Sequence, residues 1–110
     1  MSRLTTHVLD TTLGRPAAGV PVSLARSVAG RWTELAGGVT DDDGRAAPLG
    51  PDEVPPGRYR FVFDTAAYFA ATGQVGFHPE VVVVFDVVDD GHYHVPLLLS
   101  PFAYSTYRGS

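Results

Sequence analysis

Residues 81–99 read VVVVFDVVDDGHYHVPLLL, and this stretch decides the fold class. A nearly continuous apolar run over 81–88 is followed by the turn-forming triplet Asp89-Asp90-Gly91 and by a second run over 93–99. Runs of Val, Leu, Phe and Tyr of this length, bounded by turn residues, predict β-strands. The triplet predicts a hairpin turn, and the apolar run over 81–88 predicts a strand that is buried on both faces.

The same pattern of short apolar runs and turn residues extends outward through the whole chain, which contains 12 Gly and 9 Pro. It predicts one all-β domain over residues 1–110, without a linker or a repeat. The further predicted elements are strands at 4–9, 20–25, 31–35, 58–63 and 104–108, turns at 13–16 and 40–45, and a four-proline loop from Pro48 to Pro56. One short helix is predicted at 66–71, capped by Asp64-Thr65 and ended by Thr72-Gly73.

Composition limits the chemistry and the partners. The chain has no Cys, and all 8 basic residues are Arg, which excludes disulfides, thiolates and Schiff-base lysines. The net charge is -4 and the arginines are scattered, so we expect no nucleic-acid partner. No apolar stretch approaches the roughly 18 residues of a membrane span. Because the N-terminus lacks an apolar signal core, the expected location is cytoplasmic.

Two layers of motif resemble known proteins. Residues 13–22 (LGRPAAGVPV), 40–45 (TDDDGR) and 56–59 (PGRY) resemble the prealbumin, or transthyretin-like, two-sheet β-sandwich. Residues 4–10 (LTTHVLD), 68–74 (YFAATGQ), 77–81 (FHPEV) and 92–110 (HYHVPLLLSPFAYSTYRGS) resemble the 5-hydroxyisourate hydrolase family of urate breakdown. The Tyr-Arg-Gly-Ser ending separates that family from transthyretin, a hormone carrier. His78 lies where many relatives have tyrosine.

The resemblance implies an enzyme that opens the six-membered ring of its small-molecule substrate, 5-hydroxyisourate, to 2-oxo-4-hydroxy-4-carboxy-5-ureidoimidazoline. It implies a homotetramer, a dimer of dimers, with active sites in the channel between dimers, and it implies no metal and no organic cofactor. By the same resemblance, the catalytic residues are His7, Arg45, His94 and Ser110, and the substrate-binding residues are His7, Arg45, Tyr107, Arg108 and Gly109.

The alternation of side chains along strands agrees in part with this picture. His94 shares a face with Pro96 and Leu98, opposite an all-apolar set, so His94 is expected to point away from the core. For His7, which shares a face with Thr5, alternation alone does not decide the direction. If both histidines lie on the outer face, a symmetric partner would close the site. Histidine serves as base or acid near neutral pH, and arginine stabilises developing negative charge.

Plainer interpretations of the same residues remain open at this stage. Without the surrounding motifs, His7 would be a surface or packing residue, Arg45 a solvated turn residue, and Tyr107-Arg108 a frayed end or a dimer contact. His92 and His94 share a strand face and form a candidate metal pair, but zinc sites usually need three or four ligands. The sequence has no Gly-x-Ser-x-Gly elbow, which disfavours a covalent serine hydrolase.

Two other functions compete with hydrolysis. The first is a transthyretin-type carrier that holds a small molecule in the same channel without catalysis. The second is an extracellular prealbumin-like interaction module, which the absence of cysteines disfavours.

Overall fold

The computed structural model describes residues 2–46 and 49–110. Within these residues the chain forms eight strands and one helix: β1 (Leu4–Asp10), β2 (Arg15–Pro16), β3 (Pro21–Val28), β4 (Arg31–Val39), β5 (Gly57–Phe63), α1 (Thr65–Ala71), β6 (Val81–Val87), β7 (Tyr93–Leu99) and β8 (Tyr104–Thr106). Pro48, where the predicted proline loop begins, lies outside the described residues.

The strands form two four-stranded sheets, in the orders β2-β1-β7-β8 and β4-β3-β5-β6. All pairs are antiparallel except β1 and β7, which run parallel. The predicted all-β class, with two sheets and one short helix, is confirmed. The predicted turn at 13–16 contributes a two-residue strand of its own, β2, which pairs with the end of β1.

The core lies between the two sheets, and β5 supplies its largest side chains. Tyr59, Phe61 and Phe63 alternate on one face of this strand and are fully buried. From the opposite sheet, Val8 and Leu97 pack into the same cluster, also without exposure. Period-two alternation therefore decides the direction of each side chain, as expected for strands that are half-buried in a sandwich.

Residues 81–99 differ from the sequence prediction in two ways. The triplet at 89–91 does not close a hairpin, because β6 pairs with β5 in one sheet whereas β7 pairs with β1 and β8 in the other. The crossover lets the apolar faces of β6 and β7 meet across the core. The predicted burial of both faces of 81–88 is also wrong: β6 is an edge strand, and Val82 and Val84 are 42% and 51% exposed.

Helix α1 closes one end of the sandwich. Asp64 caps it by accepting a hydrogen bond from the backbone N–H of Ala67 at 3.0 Å, and Tyr68 and Phe69 are buried. The Tyr68 hydroxyl donates to Oδ2 of Asp10 at 2.6 Å and so joins the helix to the end of β1. No helix in the described parts of the chain is long and apolar enough to cross a membrane.

The pairing of β1 with β7 sets the position of the candidate site. In this register Thr5 lies opposite His94, and His7 lies opposite Pro96. Thr6 and Val95, which follow Thr5 and His94 in the two strands, face inward and are buried. The two histidines are only partly buried, so the prediction that His94 points away from the core is confirmed.

Candidate active site

His7 and His94 lie side by side on the outer face of the first sheet. Their ring centroids are 6.4 Å apart, and the planes are tilted by 36°. Both side chains are partly buried although neither belongs to the core. The sheet therefore brings together the two histidines that the sequence predicts to be catalytic, in positions that a small molecule can reach from the outer side.

Thr5 and His92 lie beside His94, and neither was predicted from the sequence to act in the hydrolase site. The Thr5 hydroxyl lies 2.8 Å from Nε2 of His92 and 2.8 Å from Nδ1 of His94. The His92 and His94 ring centroids are 6.3 Å apart. The signal that would have found Thr5 is the alternation of β1, which places it on the same face as His7.

Arg45 reaches the site through a tight turn that packs against β1. Asp41 holds the turn, accepting from the backbone N–H of Arg45 at 3.0 Å through Oδ1 and from that of Gly44 at 2.9 Å through its carbonyl. The Gly44 carbonyl then accepts from the N–H of Val8 at 2.8 Å, and Arg45 forms a β-bridge with His7.

Gly44 is required at this point of the turn. Its φ is +78°, and a Cβ atom there would collide with the carbonyl oxygen of Val8. The absence of a side chain therefore lets the turn pack closely against β1, and the next residue, Arg45, pairs with His7.

The site carries positive charge that the chain leaves uncompensated. Burial lowers the pKa of His94, and the nearby charges of Arg45, His7 and His92 lower it further. Among residues 2–46 and 49–110, no carboxylate forms an ion pair with Arg45. His94 is therefore held neutral near pH 7, beside a cation that is free to bind an electron-rich group.

The C-terminal motif divides between the two sides of the sheet. The backbone N–H of Gly109 donates to the carbonyl of His94 at 2.8 Å, and a Cβ atom on Gly109 would lie only 2.6 Å from Cδ2 of the same ring. The Arg108 guanidinium instead stacks 4.1 Å from the ring centroid of Tyr93, whose side chain faces inward. Tyr107 and Ser110 are exposed.

Of the C-terminal residues that the sequence predicts, the structure thus brings Gly109 to the histidines and places the Arg108 side chain elsewhere. The catalytic and substrate-binding roles of the predicted site residues stay predictions.

His78 lies outside the histidine cluster and packs edge-on against Phe77 and Tyr104, at 5.0 and 5.1 Å between ring centroids. In the described segments, no three His, Cys, Asp or Glu side chains are grouped closely enough to hold a metal ion.

The sequence model of the HIUase/Transthyretin family matches residues 4–109. The chain belongs to this family. The 5-hydroxyisourate hydrolase of Mus musculus is 48% identical over 113 residues, which cover 99% of this chain and 96% of the mouse protein. The match to the HIUase/Transthyretin family thus extends over nearly the whole chain.

Solved structures of both branches of the HIUase/Transthyretin family superpose on this chain. Klebsiella pneumoniae 5-hydroxyisourate hydrolase is 41% identical, with a TM-score of 0.89 and full coverage of both chains. Sea bream transthyretin in complex with thyroxine is also 41% identical, with a TM-score of 0.91 and coverage of 96% of this chain and 93% of the other. Because the two scores are so close, the fold alone does not separate enzyme from carrier, and the side chains on the outer face must do so.

Proposed function

We propose that this protein is a 5-hydroxyisourate hydrolase that opens the six-membered ring of its substrate to 2-oxo-4-hydroxy-4-carboxy-5-ureidoimidazoline during urate degradation. The observation that carries the proposal is the cluster of His7, His92, His94 and Arg45 on the outer face of the sheet. A carrier has no need of a neutral histidine beside an uncompensated cation. The relative in mouse, matched over nearly its full length, carries the same activity in its name.

The proposed reaction is hydrolysis of a cyclic amide, which needs an activated water, a stabilised oxyanion and a protonated leaving nitrogen. His94 suits the first task because its lowered pKa keeps it neutral and able to accept a proton. His7, at 6.4 Å between ring centroids, lies close enough to hold the same water or substrate from the other side. A positioned acid or base of this kind contributes about 10²–10⁴-fold in rate.

Arg45 is proposed to bind the electron-rich edge of the substrate and to stabilise the oxyanion. Its guanidinium presents several N–H donors in a fixed plane, and such donors act strongly where water is excluded. Gly109 acts in the proposal through its backbone, which fixes the carbonyl of His94 and leaves room for the imidazole ring. Tyr107, Arg108 and Ser110 are proposed to contact substrate, as the family resemblance implies.

The proposed assembly is a homotetramer, a dimer of dimers. Two features of the single chain support it: the edge strands β6 and β8 end the two sheets, and the histidine cluster lies on the outer face of its sheet, where His92 and Arg45 are exposed. A second copy would cover that face and exclude water from the reaction. Size-exclusion chromatography with light scattering tests this, and a stable, active monomer would contradict it.

A cytoplasmic location is also proposed, and cell fractionation tests it.

The test of the function is a coupled ultraviolet assay. Urate oxidase generates 5-hydroxyisourate from urate in place, and the decay of the intermediate is followed with and without the protein. We expect wild-type protein to accelerate the decay, and the His7→Ala variant to lose about 10²–10⁴-fold of that acceleration. The spontaneous decay of the unstable substrate is the control.

The opposite outcome has a definite meaning. If the decay with folded wild-type protein equals the spontaneous rate, the chain is no hydrolase, and the carrier function then becomes the leading interpretation. If wild-type protein is active but His7→Ala and His94→Ala both keep nearly normal rates, the assignment of the two histidines is wrong although the activity stands.

A further inference from the structure

The Thr5 hydroxyl is the only group of the described chain that contacts two histidine rings at hydrogen-bond distance. It lies 2.8 Å from Nδ1 of His94 and 2.8 Å from Nε2 of His92. A hydroxyl has one proton to donate and two lone pairs with which to accept, and a neutral imidazole has one N–H and one bare nitrogen. A hydroxyl can donate to only one of the two rings, so at least one ring must donate its N–H to Thr5.

We infer that Thr5 is a positioning residue that fixes the tautomer of His94, accepting a hydrogen bond from Nδ1–H of His94 and donating its own proton to Nε2 of His92. This arrangement leaves Nε2 of His94 as a bare acceptor, which is the form that a general base requires. The catalytic consequence rests on the proposed hydrolase function, whereas the tautomer of His94 is independent of that function.

The charges around His94 favour this direction over the reverse. Arg45 and His7 from the neighbouring elements, and His92, which directly precedes β7, are the titratable and charged groups that face the ring. Thr5 occupies the Nδ1 edge, so Nε2 is the nitrogen left for the remaining surroundings. A bare nitrogen is the negative end of the imidazole dipole, and side-chain dipoles orient in the local field. The positive charge of Arg45 therefore favours the lone pair at Nε2 of His94 over an N–H at that position.

His92 is suited to accept the proton that Thr5 donates. Its side chain is exposed, so its own Nδ1–H can be satisfied by solvent while Nε2 accepts from Thr5. When His94 takes a proton from water at Nε2, its bond from Nδ1–H to Thr5 becomes charge-assisted and strengthens. Thr5 thereby stabilises the charged form of His94 that the reaction produces.

The experiment compares wild type with Thr5→Val, which keeps the β-branched shape but removes the hydroxyl, and with Thr5→Ser, which restores it. Long-range ¹H–¹⁵N NMR of the histidine rings, without substrate, reads the tautomers directly. We expect Nδ1 of wild-type His94 to be protonated and Nε2 to be bare, this state to be lost in Thr5→Val, and Thr5→Ser to regain it. Observation of the opposite tautomer in wild type would overturn the inference.

The pH dependence of hydrolysis gives a second, independent reading of the direction. If Thr5 accepts from His94, its loss removes a partner of the imidazolium, so the acid limb of the rate profile moves to lower pH and kcat falls about 10- to 100-fold with KM little changed. If Thr5 instead donates to His94, its loss moves the limb to higher pH. A limb and a rate that stay unchanged in Thr5→Val would also contradict the proposal.

Thr6→Val is the matched control for a merely structural effect. The Thr6 hydroxyl is buried and donates to the carbonyl of Val95 at 2.7 Å, on the inner face of the same strand. We expect this variant to lower the melting temperature but to leave the histidine tautomers and the acid limb unmoved. If wild type proves inactive, the NMR measurement still decides the tautomer, so failure of the function and failure of the inference are told apart.

Discussion

Strand β1 carries two polar sites on opposite faces, and they are built in opposite ways. On the inner face Asp10 is 2% exposed, yet its carboxylate accepts four hydrogen bonds: from Tyr68 at 2.6 Å, Gln74 at 3.1 Å, and the backbone N–H groups of Thr12 and Leu13 at 3.0 and 2.9 Å. Burial works to raise the pKa of Asp10, but these hydrogen bonds outweigh it and hold the pKa below its ordinary value.

On the outer face, the histidine rings make few hydrogen bonds within the described residues. Within the described residues the ring of His7 has no hydrogen bond, and that of His94 has only the contact with Thr5. The groups whose charge acts on His94 are Arg45, His7 and His92, and all three are basic. Full satisfaction at Asp10 indicates a structural role, whereas unused donors and acceptors beside uncompensated charge are typical of a site that waits for a ligand.

The largest expected effect comes from Asp10→Ala. This change leaves the Tyr68 hydroxyl, the Gln74 amide and two backbone N–H groups without their buried acceptor, so the free energy of unfolding should fall by about 3 kcal/mol. Urea unfolding followed by circular dichroism measures it. His7→Ala, on the other face of the same strand, should change stability by less than about 1 kcal/mol. Equal losses in the two variants would break the contrast between the faces.

Gly109→Ala tests the outer site without adding or removing a polar group. A methyl group would lie 2.6 Å from Cδ2 of His94, so the ring must move. A displacement of about 1 Å from the productive geometry can cost about 100-fold in rate, and the coupled ultraviolet assay should show a loss of this order. Stability should change little, because Gly109 lies outside the core cluster.

Gly37→Ala is the matched control for that variant. A Cβ atom there would lie 3.6 Å from Glu34 Oε1, an ordinary contact, and Gly37 is on the other sheet. We expect full activity. If Gly109→Ala keeps full activity as well, then the close packing of the C-terminal motif does not position His94.

The two faces also differ in what the sequence could predict. The side-chain faces of the strands, the short helix and the outward direction of His94 follow from period-two alternation and cap residues, which are local signals. The Asp10 network could not be predicted, because Tyr68 and Gln74 lie 58 and 64 residues away along the chain.

The hairpin prediction failed for a related reason. A tight turn at 89–91 looks the same in sequence whether the chain returns within its own sheet or crosses to the other. Of the site residues, His7, Arg45 and His94 were predicted from the family motifs. Alternation along β1 places Thr5 on the face of His7, but the contacts of Thr5 with His92 and His94 depend on the register of β1 against β7, across 87 to 89 residues.

The smallest expected effect is on the free energy of unfolding at acidic pH. Because the pKa of Asp10 is lower in the folded chain than in the unfolded one, the folded state binds fewer protons there. The stability that Asp10 contributes is therefore present above its unfolded pKa, about 3.9, and is lost as the pH falls through the lower folded value. Asp10→Asn removes this titration. We expect its unfolding free energy to depend less steeply on pH below about 4 than that of wild type.

The asparagine is tolerated better than alanine because its neighbours can adapt. The Tyr68 hydroxyl can rotate to accept from the new amide, and Gln74 can turn its amide so that Oε1, which is buried without a partner, accepts as well. Asp86→Asn is the surface control: Arg58 lowers the pKa of Asp86 through a 2.8 Å hydrogen bond, but both side chains are more than half exposed. If removing Asp86 flattens the acid dependence as much as removing Asp10, burial on the inner face of β1 is not what couples the carboxylate to folding.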